Sequence, residues 1–498
     1  RELKKRLALL MGALGQFAEP GRVTFGSTSR RRGADQPGRR SLLSVPELAS
    51  LWHVPTDTVQ TPSLARPAYR QLPPPVELST GAGQIGDALI GTVDFRDDKR
   101  QVRISERDRL HTLIIGKSGV GKSTLMHNMI VNDCQTGRGV AVIDPHGDLI
   151  EDILGTMPRK RTNDVVLLDV ADPDHAVTFN PLACDEPLRQ PAVAESLLTT
   201  LMRVFGFDAA SAPRMMHILR NTLLSLVEQP ATTLLDVERM LVDKNFRNRI
   251  VNQIKDKKIQ SFWTHEVANW TPRYEAEALP AILNKLGHFT AHPMVRHILD
   301  HPKGLLNIRQ AMDEQKIVLI SLSQGAVGGA AAALLGSLLV AEIQQAALSR
   351  CDIEKAERAP FYLYVDEYPV YVNDSFAIIL AEARKYGLFL TAAQQLTQQC
   401  SETLMANMFG NVSTIACFQV AFDDAQIFAD QLGEPLTAAD LIQLPKYKCV
   451  VRVSLDGVPS RPFTMATLSP PDSTKATTAA DVVRRVSKRR YRTGKIAA

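Results

Sequence analysis

The sequence has few cysteines, and none of them stands in a recognisable motif. Six cysteines occur among its 498 residues, without a single Cys-x-x-Cys pair. They are scattered over the chain at positions 134, 184, 351, 400, 417 and 449. This pattern indicates neither a disulfide framework nor a zinc site, and it fits a protein of the reducing cytoplasm.

A long uninterrupted hydrophobic run is also missing. The apolar stretch at residues 325–341 is rich in alanine and glycine and is slightly short for a membrane span. We therefore predict a loop followed by a buried helix there. The length of the chain and its 45% hydrophobic and 22% charged residues indicate two or three soluble domains with a large core.

Charge of one sign is concentrated at the two ends. The whole chain has a net charge of +5, but residues 1–45 carry +7 and residues 471–498 carry +6, which leaves −8 for residues 46–470. Basic ends on an acidic body suggest contact with nucleic acid or with an anionic membrane surface. Solvated, disordered ends are the alternative explanation.

The clearest motif is a glycine-rich loop between an apolar run and an amphipathic run. Residues 116–124 read Gly-Lys-Ser-Gly-Val-Gly-Lys-Ser-Thr, directly after Leu-Ile-Ile and before Leu125. A strand, a loop and a helix in this order form the context of a phosphate-binding loop, in which backbone N–H groups and the helix N-terminus surround the phosphates. We predict that Lys122 reaches the β and γ phosphates of ATP and that the Ser123 hydroxyl ligates Mg²⁺. The predicted nucleotide-binding residues are Gly116, Lys117, Ser118, Gly119, Val120, Gly121, Lys122, Ser123 and Thr124.

Short apolar runs alternate with helical patterns on both sides of a long helical stretch. Fully apolar strands separated by helices predict a mostly parallel sheet that is covered on both faces. Between residues 187 and 306 nearly every apolar run has helical spacing, which predicts an all-α domain inserted into the α/β fold. The predicted strands lie at residues 88–104, 113–115, 140–143, 165–168, 317–320, 361–365, 388–391 and 413–420, with a hairpin at residues 450–467 that turns at Asp456-Gly457.

Two acids, Asp366 and Glu367, directly follow the apolar run at residues 361–365. Parallel sheets bind their ligands beyond the carboxyl ends of the strands, so this pair should share a crevice with the phosphate loop. We predict that Asp366 holds Mg²⁺ and that Glu367 polarises the attacking water. Acids at a strand end also occur in ordinary turns, which is the alternative.

Two further polar residues are candidates for the same site. Gln395 ends the next apolar run and could sense the γ-phosphate, and the alternative is a polar strand end that faces solvent. Arg384 lies near the end of a predicted helix and could act on the nucleotide of a neighbouring subunit. The alternative for Arg384 is a cation that complements the helix dipole.

Two other groups of residues have both functional and structural explanations. Asp144, His146 and Asp148 end a strand and could hold a metal, but they lack a further Cys or His partner, so a supporting or structural role is favoured. Trp263 and Trp270 could stack on nucleic-acid bases, but buried anchors in the helical insert are favoured.

Taken together, the motifs resemble the HerA/FtsK superfamily of hexameric pumps, and within it the type IV secretion coupling proteins of conjugation, the TraG/TraD group. The resemblance runs from about residue 44 to residue 471. It is carried by the phosphate loop, Asp-Pro-His-Gly-Asp-Leu at 144–149, Phe-Asn-Pro-Leu at 179–182, Val-Asp-Glu-Tyr-Pro at 365–369, Ala-Arg-Lys-Tyr-Gly at 383–387 and Ala-Ala-Gln-Gln at 392–395.

The resemblance implies a RecA-like P-loop NTPase domain interrupted by an all-α domain and assembled as a six-fold ring around DNA. It also places six residues at nucleotide-site positions of the family: Lys122, Ser123, Asp366, Glu367, Gln395 and Arg384. The expected organisation is a basic arm, short helix and Pro-rich connector at 1–100, the motor domain at 101–182 and 311–470, the helical insert at 183–310, and a basic tail at 471–498.

The leading hypothesis is an ATP-hydrolysing homo-hexameric DNA translocase that uses ATP and Mg²⁺ and moves single- or double-stranded DNA without regard to sequence. As a coupling protein it would work in the cytoplasm, at the cytoplasmic face of the inner membrane, with a relaxase and membrane channel components. The alternatives are a soluble HerA-like DNA pump in repair or defence, an ATP-dependent switch, and a protein-secretion motor.

Overall fold

An eleven-stranded sheet runs through the computed structural model, which describes residues 69–78, 87–172, 177–207, 212–372, 382–470 and 476–491. These residues belong to a compact unit that spans Pro67–Ala498. Two short strands, β11 and β12, form a separate sheet. In chain order the strands of both sheets are β1 Ala88–Val93, β2 Gln101–Ile104, β3 His111–Ile115, β4 Gly139–Asp144, β5 Val165–Asp169, β6 Ile317–Ser321, β7 Phe361–Val365, β8 Leu388–Gln394, β9 Val412–Cys417, β10 Lys448–Arg452, β11 Ser454–Leu455, β12 Val458–Pro459 and β13 Phe463–Ala466.

Helices connect most of these strands. In chain order they are α1 Lys122–Thr136, α2 Asp148–Thr156, α3 Gln190–Val204, α4 Pro213–Val227, α5 Asp236–Val242, α6 Lys244–Val251, α7 Lys257–Ser261, α8 Pro272–Thr290, α9 Pro293–Leu299, α10 Ile308–Asp313, α11 Gln324–Val327, α12 Gly329–Ser349, α13 Glu402–Asn411, α14 Phe422–Leu432, α15 Ala438–Ile442 and α16 Ala476–Tyr491.

The strand order β2-β1-β13-β10-β9-β3-β8-β7-β4-β6-β5 divides the sheet into two parts. The first part consists of seven strands that are parallel to one another, in the order β9, β3, β8, β7, β4, β6 and β5. Strands β10, β13, β1 and β2 extend the sheet in antiparallel fashion. The predicted α/β class with a mostly parallel sheet is confirmed, and so is the hairpin, because β10 pairs with β13 and β11 with β12.

Both faces of the sheet are covered, as the apolar strands require. One hydrophobic core includes residues of α1, α2 and α16, and the core on the opposite face includes α12, α14 and the helices between β5 and β6. The described residues between β5 and β6 contain no strand, so the predicted helical insert is confirmed. Helix α3 of the insert packs against α12, which follows β6, and this contact ties the insert to the α/β core.

Helix α12 lies where the sequence predicts a buried helix. Among the described residues, the stretch Gly329–Asp352 is long and apolar enough to cross a membrane, but 78% of its most apolar window is buried within the fold. This burial is typical of a core helix.

The chain ends differ from the expected organisation where they are described. Strand β1 pairs with β13, so the sheet begins before residue 101, where the motor domain was expected to start. Residues 471–498 were expected to form a basic tail, yet Ala476–Tyr491 is a helix with Val483 and Ser487 buried. Val483 and Ser487 are four residues apart and share one helical face, a pattern that the high basic content conceals. The predicted basic arm and the short helix that follows it lie outside the described residues.

Candidate nucleotide site

The phosphate loop connects β3 to α1 in a conformation that needs glycine. Gly119 and Gly121 have φ values of +72° and +118°, in the left-handed region that other residues rarely adopt. A Cβ atom on Gly121 would lie 3.0 Å from Cδ1 of Tyr447, and one on Gly116 would lie 2.6 Å from Cβ of Phe418. Backbone conformation and available space therefore both explain the glycines at these positions.

Lys122 begins α1 and points back into the loop. Its ammonium donates to the carbonyl oxygens of Gly116 at 2.7 Å and of Lys117 at 2.9 Å. Burial lowers the pKa of Lys122, and the charges of Asp366 and Glu367 oppose that shift. The lysine is thus a buried cation that faces the two acids, as a residue that binds phosphate beside them should be.

Asp366 lies at the carboxyl end of β7 and is only 9% exposed. Its backbone N–H donates to the carbonyl of Ile143 at 3.1 Å, which aligns it with the end of β4. Burial, and then the charge of Asp144, raise the pKa of Asp366 to about 6, although Lys122 acts in the opposite direction. A buried carboxylate next to another acid favours a bound cation, and together with the exposed Ser123 hydroxyl it offers the oxygen ligands that Mg²⁺ prefers.

Glu367 has a strained backbone and two polar neighbours. Its φ and ψ are 50° and 46°, a left-handed conformation that is uncommon for a non-glycine residue and that concentrates at functional sites. The side-chain amide of Gln395 donates to Glu367 Oε1 at 2.6 Å, and Nε2 of His146 lies 3.6 Å from the same oxygen. The structure therefore brings Glu367 and Gln395 together, and it adds His146 to their surroundings.

For His146 the sequence favoured a supporting or structural role over a metal site, but it did not indicate Glu367 as the neighbour. The position of His146 directly after β4 is the signal that could have linked it to Glu367, because β4 neighbours β7 in the sheet. The carboxylate of Asp144 accepts from the backbone N–H groups of His146, Leu149 and Ile150 at 2.9, 2.9 and 3.2 Å. Asp144 therefore caps the start of α2, which is the structural role that the sequence analysis favoured over a metal site.

A buried ion pair supports the strand that carries the acids. Arg109 Nη2 lies 2.7 Å from Asp133 Oδ2, and the Tyr364 hydroxyl donates to the same carboxylate at 2.6 Å. The Arg109 guanidinium also stacks over the ring of Tyr362, 3.8 Å from its centroid. Because Tyr362 and Tyr364 belong to β7, this network ties that strand to α1 below the phosphate loop.

The remaining candidate residues lie away from this cluster. Arg384 is exposed in a 3₁₀ turn just before β8, and none of the described polar contacts links it to Lys122 or Glu367. Trp263 is buried and donates to the Ser225 hydroxyl at 2.7 Å, so it is an anchor of the insert. Trp270 is partly buried and packs against Tyr274, with 5.1 Å between the ring centroids.

Comparison with known proteins identifies a family and a fold. A family model described as the type IV secretion-system coupling protein DNA-binding domain matches residues 103–439. The fold is similar to that of the bacterial conjugative coupling protein TrwBdeltaN70, with a TM-score of 0.54 and 16% identity over 74% of this chain and 86% of that one. TrwB in complex with the non-hydrolysable GTP analogue GDPNP is similar with a TM-score of 0.55 and 16% identity, over 79% of this chain and 98% of the other.

A third similar structure is VirB4 of Thermoanaerobacter pseudethanolicus, with a TM-score of 0.53 and 14% identity over 79% of this chain and 99% of the other. No curated protein matches the chain. At these identities the solved structures bear on the fold alone. They agree with an α/β fold that has a mostly parallel sheet and carries a helical insert.

Proposed function

The chain belongs to the type IV secretion-system coupling proteins, a family of P-loop ATPases, and we propose that it hydrolyses MgATP to move DNA through a ring of six subunits toward a transfer channel. The observation that carries the proposal is the convergence of predicted site residues at one edge of the sheet. The phosphate loop follows β3, Gln395 follows β8, and Asp366 and Glu367 follow β7, and these three strands are adjacent and parallel.

Each group in this cluster has a role in the proposed reaction. Lys122 exchanges the loop carbonyls that it now contacts for the β and γ phosphates, while Asp366 and Ser123 hold Mg²⁺. Mg²⁺, when bound, neutralises negative charge on the phosphate oxygens. Glu367 accepts a proton from the water that attacks the γ-phosphorus.

Gln395 controls the availability of Glu367 in this scheme. Its amide donates to Glu367 Oε1, the atom that would otherwise accept from the attacking water. A γ-phosphate offers Gln395 an acceptor that carries more negative charge and more oxygens than the Glu367 carboxylate, and hydrogen bonds to such charged acceptors are strong. We propose that ATP binding draws Gln395 toward the phosphate and leaves Glu367 free to orient the water.

Nucleotide and subunit partners are proposed on two further grounds. Similar TrwB structures are complexes with GDPNP, with a non-hydrolysable ATP analogue, and with ADP and Mg²⁺, which supports the same ligand class here. Arg384 is exposed, as a residue that completes the site of a neighbouring subunit must be. We propose that it stabilises the transferring phosphoryl group across a subunit interface of the homo-hexamer.

DNA is the proposed substrate because the matching family model is named for a DNA-binding domain. The exposed Arg485 and Arg489 of α16 provide basic groups for phosphate contacts. Such contacts are independent of sequence and release counterions, so DNA affinity should fall steeply as salt is raised. The proposed location is the cytoplasmic face of the inner membrane, with a relaxase and channel components as partners.

The deciding experiment measures steady-state ATP turnover against the length of added single- and double-stranded DNA. We expect turnover to rise with DNA length and to fall by two to four orders of magnitude in Glu367→Gln, the contribution typical of a general base. The matched control is Glu357→Gln, which changes an exposed acid in a turn before β7 in the same way and should leave turnover unchanged.

The alternatives make different predictions in the same assay. Turnover that does not respond to DNA would contradict the DNA pump and would favour an ATP-dependent switch or a protein-secretion motor. A soluble HerA-like pump in repair or defence would respond to DNA but would co-purify with a nuclease instead of a relaxase.

A further inference from the structure

The geometry points to a base-binding role for Tyr447: we infer that its ring stacks on the purine base of the bound nucleotide. This inference rests on the proposed nucleotide site and extends it beyond the phosphates. In the proposed site, the residues described so far would contact only the phosphates of the nucleotide. A separate surface must receive the base.

The sheet order gives the direction in which the base extends. The γ-phosphate must lie toward β7, because Asp366 and Glu367 follow that strand. The phosphate loop follows β3, which is separated from β7 by β8 alone. The ribose and base therefore extend from the loop away from β7, over β9 and β10 on the opposite side of β3.

Tyr447 lies on that opposite side and touches the phosphate loop. It directly precedes β10, and its backbone N–H donates to the carbonyl of Val120 at 2.7 Å. Its Cδ1 atom would be 3.0 Å from a Cβ atom on Gly121. The ring thus borders the loop at the residue before Lys122, where the chain turns into α1.

The Tyr447 ring also has a surface free to receive a ligand. Tyr447 is 50% exposed, which is unusual for a large aromatic residue in close contact with a buried loop. Phe418 also meets the loop, at Gly116, but it is fully buried and has no face to offer. Tyr447 therefore combines proximity to the loop with a side chain that is half exposed.

The backbone of Tyr447 has a conformation that is unusual for a tyrosine. Its φ of +64° lies in the left-handed region, which is uncommon and unfavourable for a residue of this size. Two backbone hydrogen bonds maintain it, the one to Val120 and one from Thr467 N–H to the Tyr447 carbonyl at 3.0 Å. Glycine or asparagine would adopt this backbone conformation with less strain. A role of the aromatic ring in binding a ligand would explain why a tyrosine occupies the position.

Stacking on a phenol ring should strengthen the binding of either purine base. Every nucleobase presents a π-face, so stacking strengthens binding without distinguishing adenine from guanine by hydrogen bonds. The inference therefore predicts a site that binds adenine and guanine nucleotides alike and that depends on the ring of Tyr447 for both.

The test compares three ligands by isothermal titration calorimetry in the presence of Mg²⁺: ADP, GDP and pyrophosphate, which has no base. We expect Tyr447→Ala to weaken ADP and GDP about 5- to 150-fold, the range that alanine substitution gives for base–aromatic stacking. Pyrophosphate affinity should remain within about twofold of the wild type, because that ligand does not reach the ring. Tyr447→Phe should bind all three like the wild type.

Two more variants separate stacking from structural effects. Tyr447→Gly removes the ring and relieves the left-handed backbone, so it should show the same selective loss as Tyr447→Ala in a protein at least as stable. Val458→Ala truncates another exposed side chain, in the β11–β12 hairpin, and should change none of the affinities.

Several outcomes would overturn the inference. It fails if Tyr447→Ala binds ADP as tightly as the wild type. It also fails if pyrophosphate and ADP weaken equally, because the residue would then only shape the phosphate loop. If the wild type binds none of the three ligands, the proposed nucleotide site itself is wrong, and the inference fails with it.

Discussion

Replacing Asp366 with asparagine should make the metal-free protein more stable while abolishing its activity. The carboxylate is almost fully buried, and burial together with Asp144 raises its pKa from 3.8 to about 6. A rise of this size corresponds to about 3 kcal/mol by which the folded state disfavours the charged form. Asparagine has no charge to bury, and its Oδ1 can still accept the Glu367 N–H that now donates to Asp366 Oδ1 at 3.0 Å.

The pH dependence of this gain follows from the sign of the shift. Because the pKa is higher in the folded state than in the unfolded state, the folded protein holds the proton over a range in which the unfolded chain has released it. Wild-type stability is therefore lost as pH rises from about 4 to about 6, and the loss is complete above that range. The gain from Asp366→Asn should be about 3 kcal/mol at pH 8 and roughly half of that at pH 5.

The measurement is urea unfolding followed by far-ultraviolet circular dichroism, without nucleotide and with a chelator, at pH 5, 6.5 and 8. Asp97→Asn serves as the control, because Asp97 is an exposed acid in the β1–β2 connection, and it should change stability little at any pH. A variant no more stable than the wild type at pH 8, or one whose gain does not shrink toward pH 5, would refute the reasoning. MgADP binding by the same variant should be strongly weakened, since the proposed ligand of Mg²⁺ is gone.

Three further predictions concern other parts of the fold. Asp133→Ala leaves Arg109 buried without its partner and should lower the free energy of unfolding by about 3 to 5 kcal/mol in chemical denaturation. Gly121→Ala introduces a Cβ in a left-handed, crowded position and should weaken MgADP at least about tenfold by calorimetry, since the loop can no longer close around the phosphates. Ser487→Ala removes the hydroxyl that accepts from the Leu167 N–H at 2.9 Å, and it should lower stability by about 1 to 3 kcal/mol in thermal or chemical unfolding.

The phosphate loop and the acid pair could be predicted because their signals are local. Gly121 and Lys122 belong to a single short motif, and the strand before Asp366 is a short, fully apolar run. Such runs specify parallel strands, and the carboxyl ends of parallel strands meet at one edge. The helical insert could be predicted for the same reason, because the apolar residues have helical spacing throughout a long stretch between the strands.

Residues that depend on pairing between distant segments could not be predicted in the same way. His146 lies near Glu367 because β4 and β7 are neighbours, although more than two hundred residues separate them in sequence. Tyr447 reaches Val120 because β10 pairs with β9, which in turn pairs with β3. Tyr447 carries no local motif, and the motif around His146 indicates a strand end without indicating that β7 is the neighbouring strand.

By itself, the sequence determined the α/β class, the helical insert, the phosphate loop and the acids at the end of β7, because periodicity and short motifs depend on residues close together in the chain. Only the tertiary structure decided the order of the strands, and with it which side chains surround Glu367 and which aromatic ring borders the phosphate loop. It also decided that α16 packs against β5, where Ser487 accepts from Leu167, although the same residues look like a basic tail. Strand order depends on the summed packing of segments far apart in sequence, and no local pattern encodes that sum.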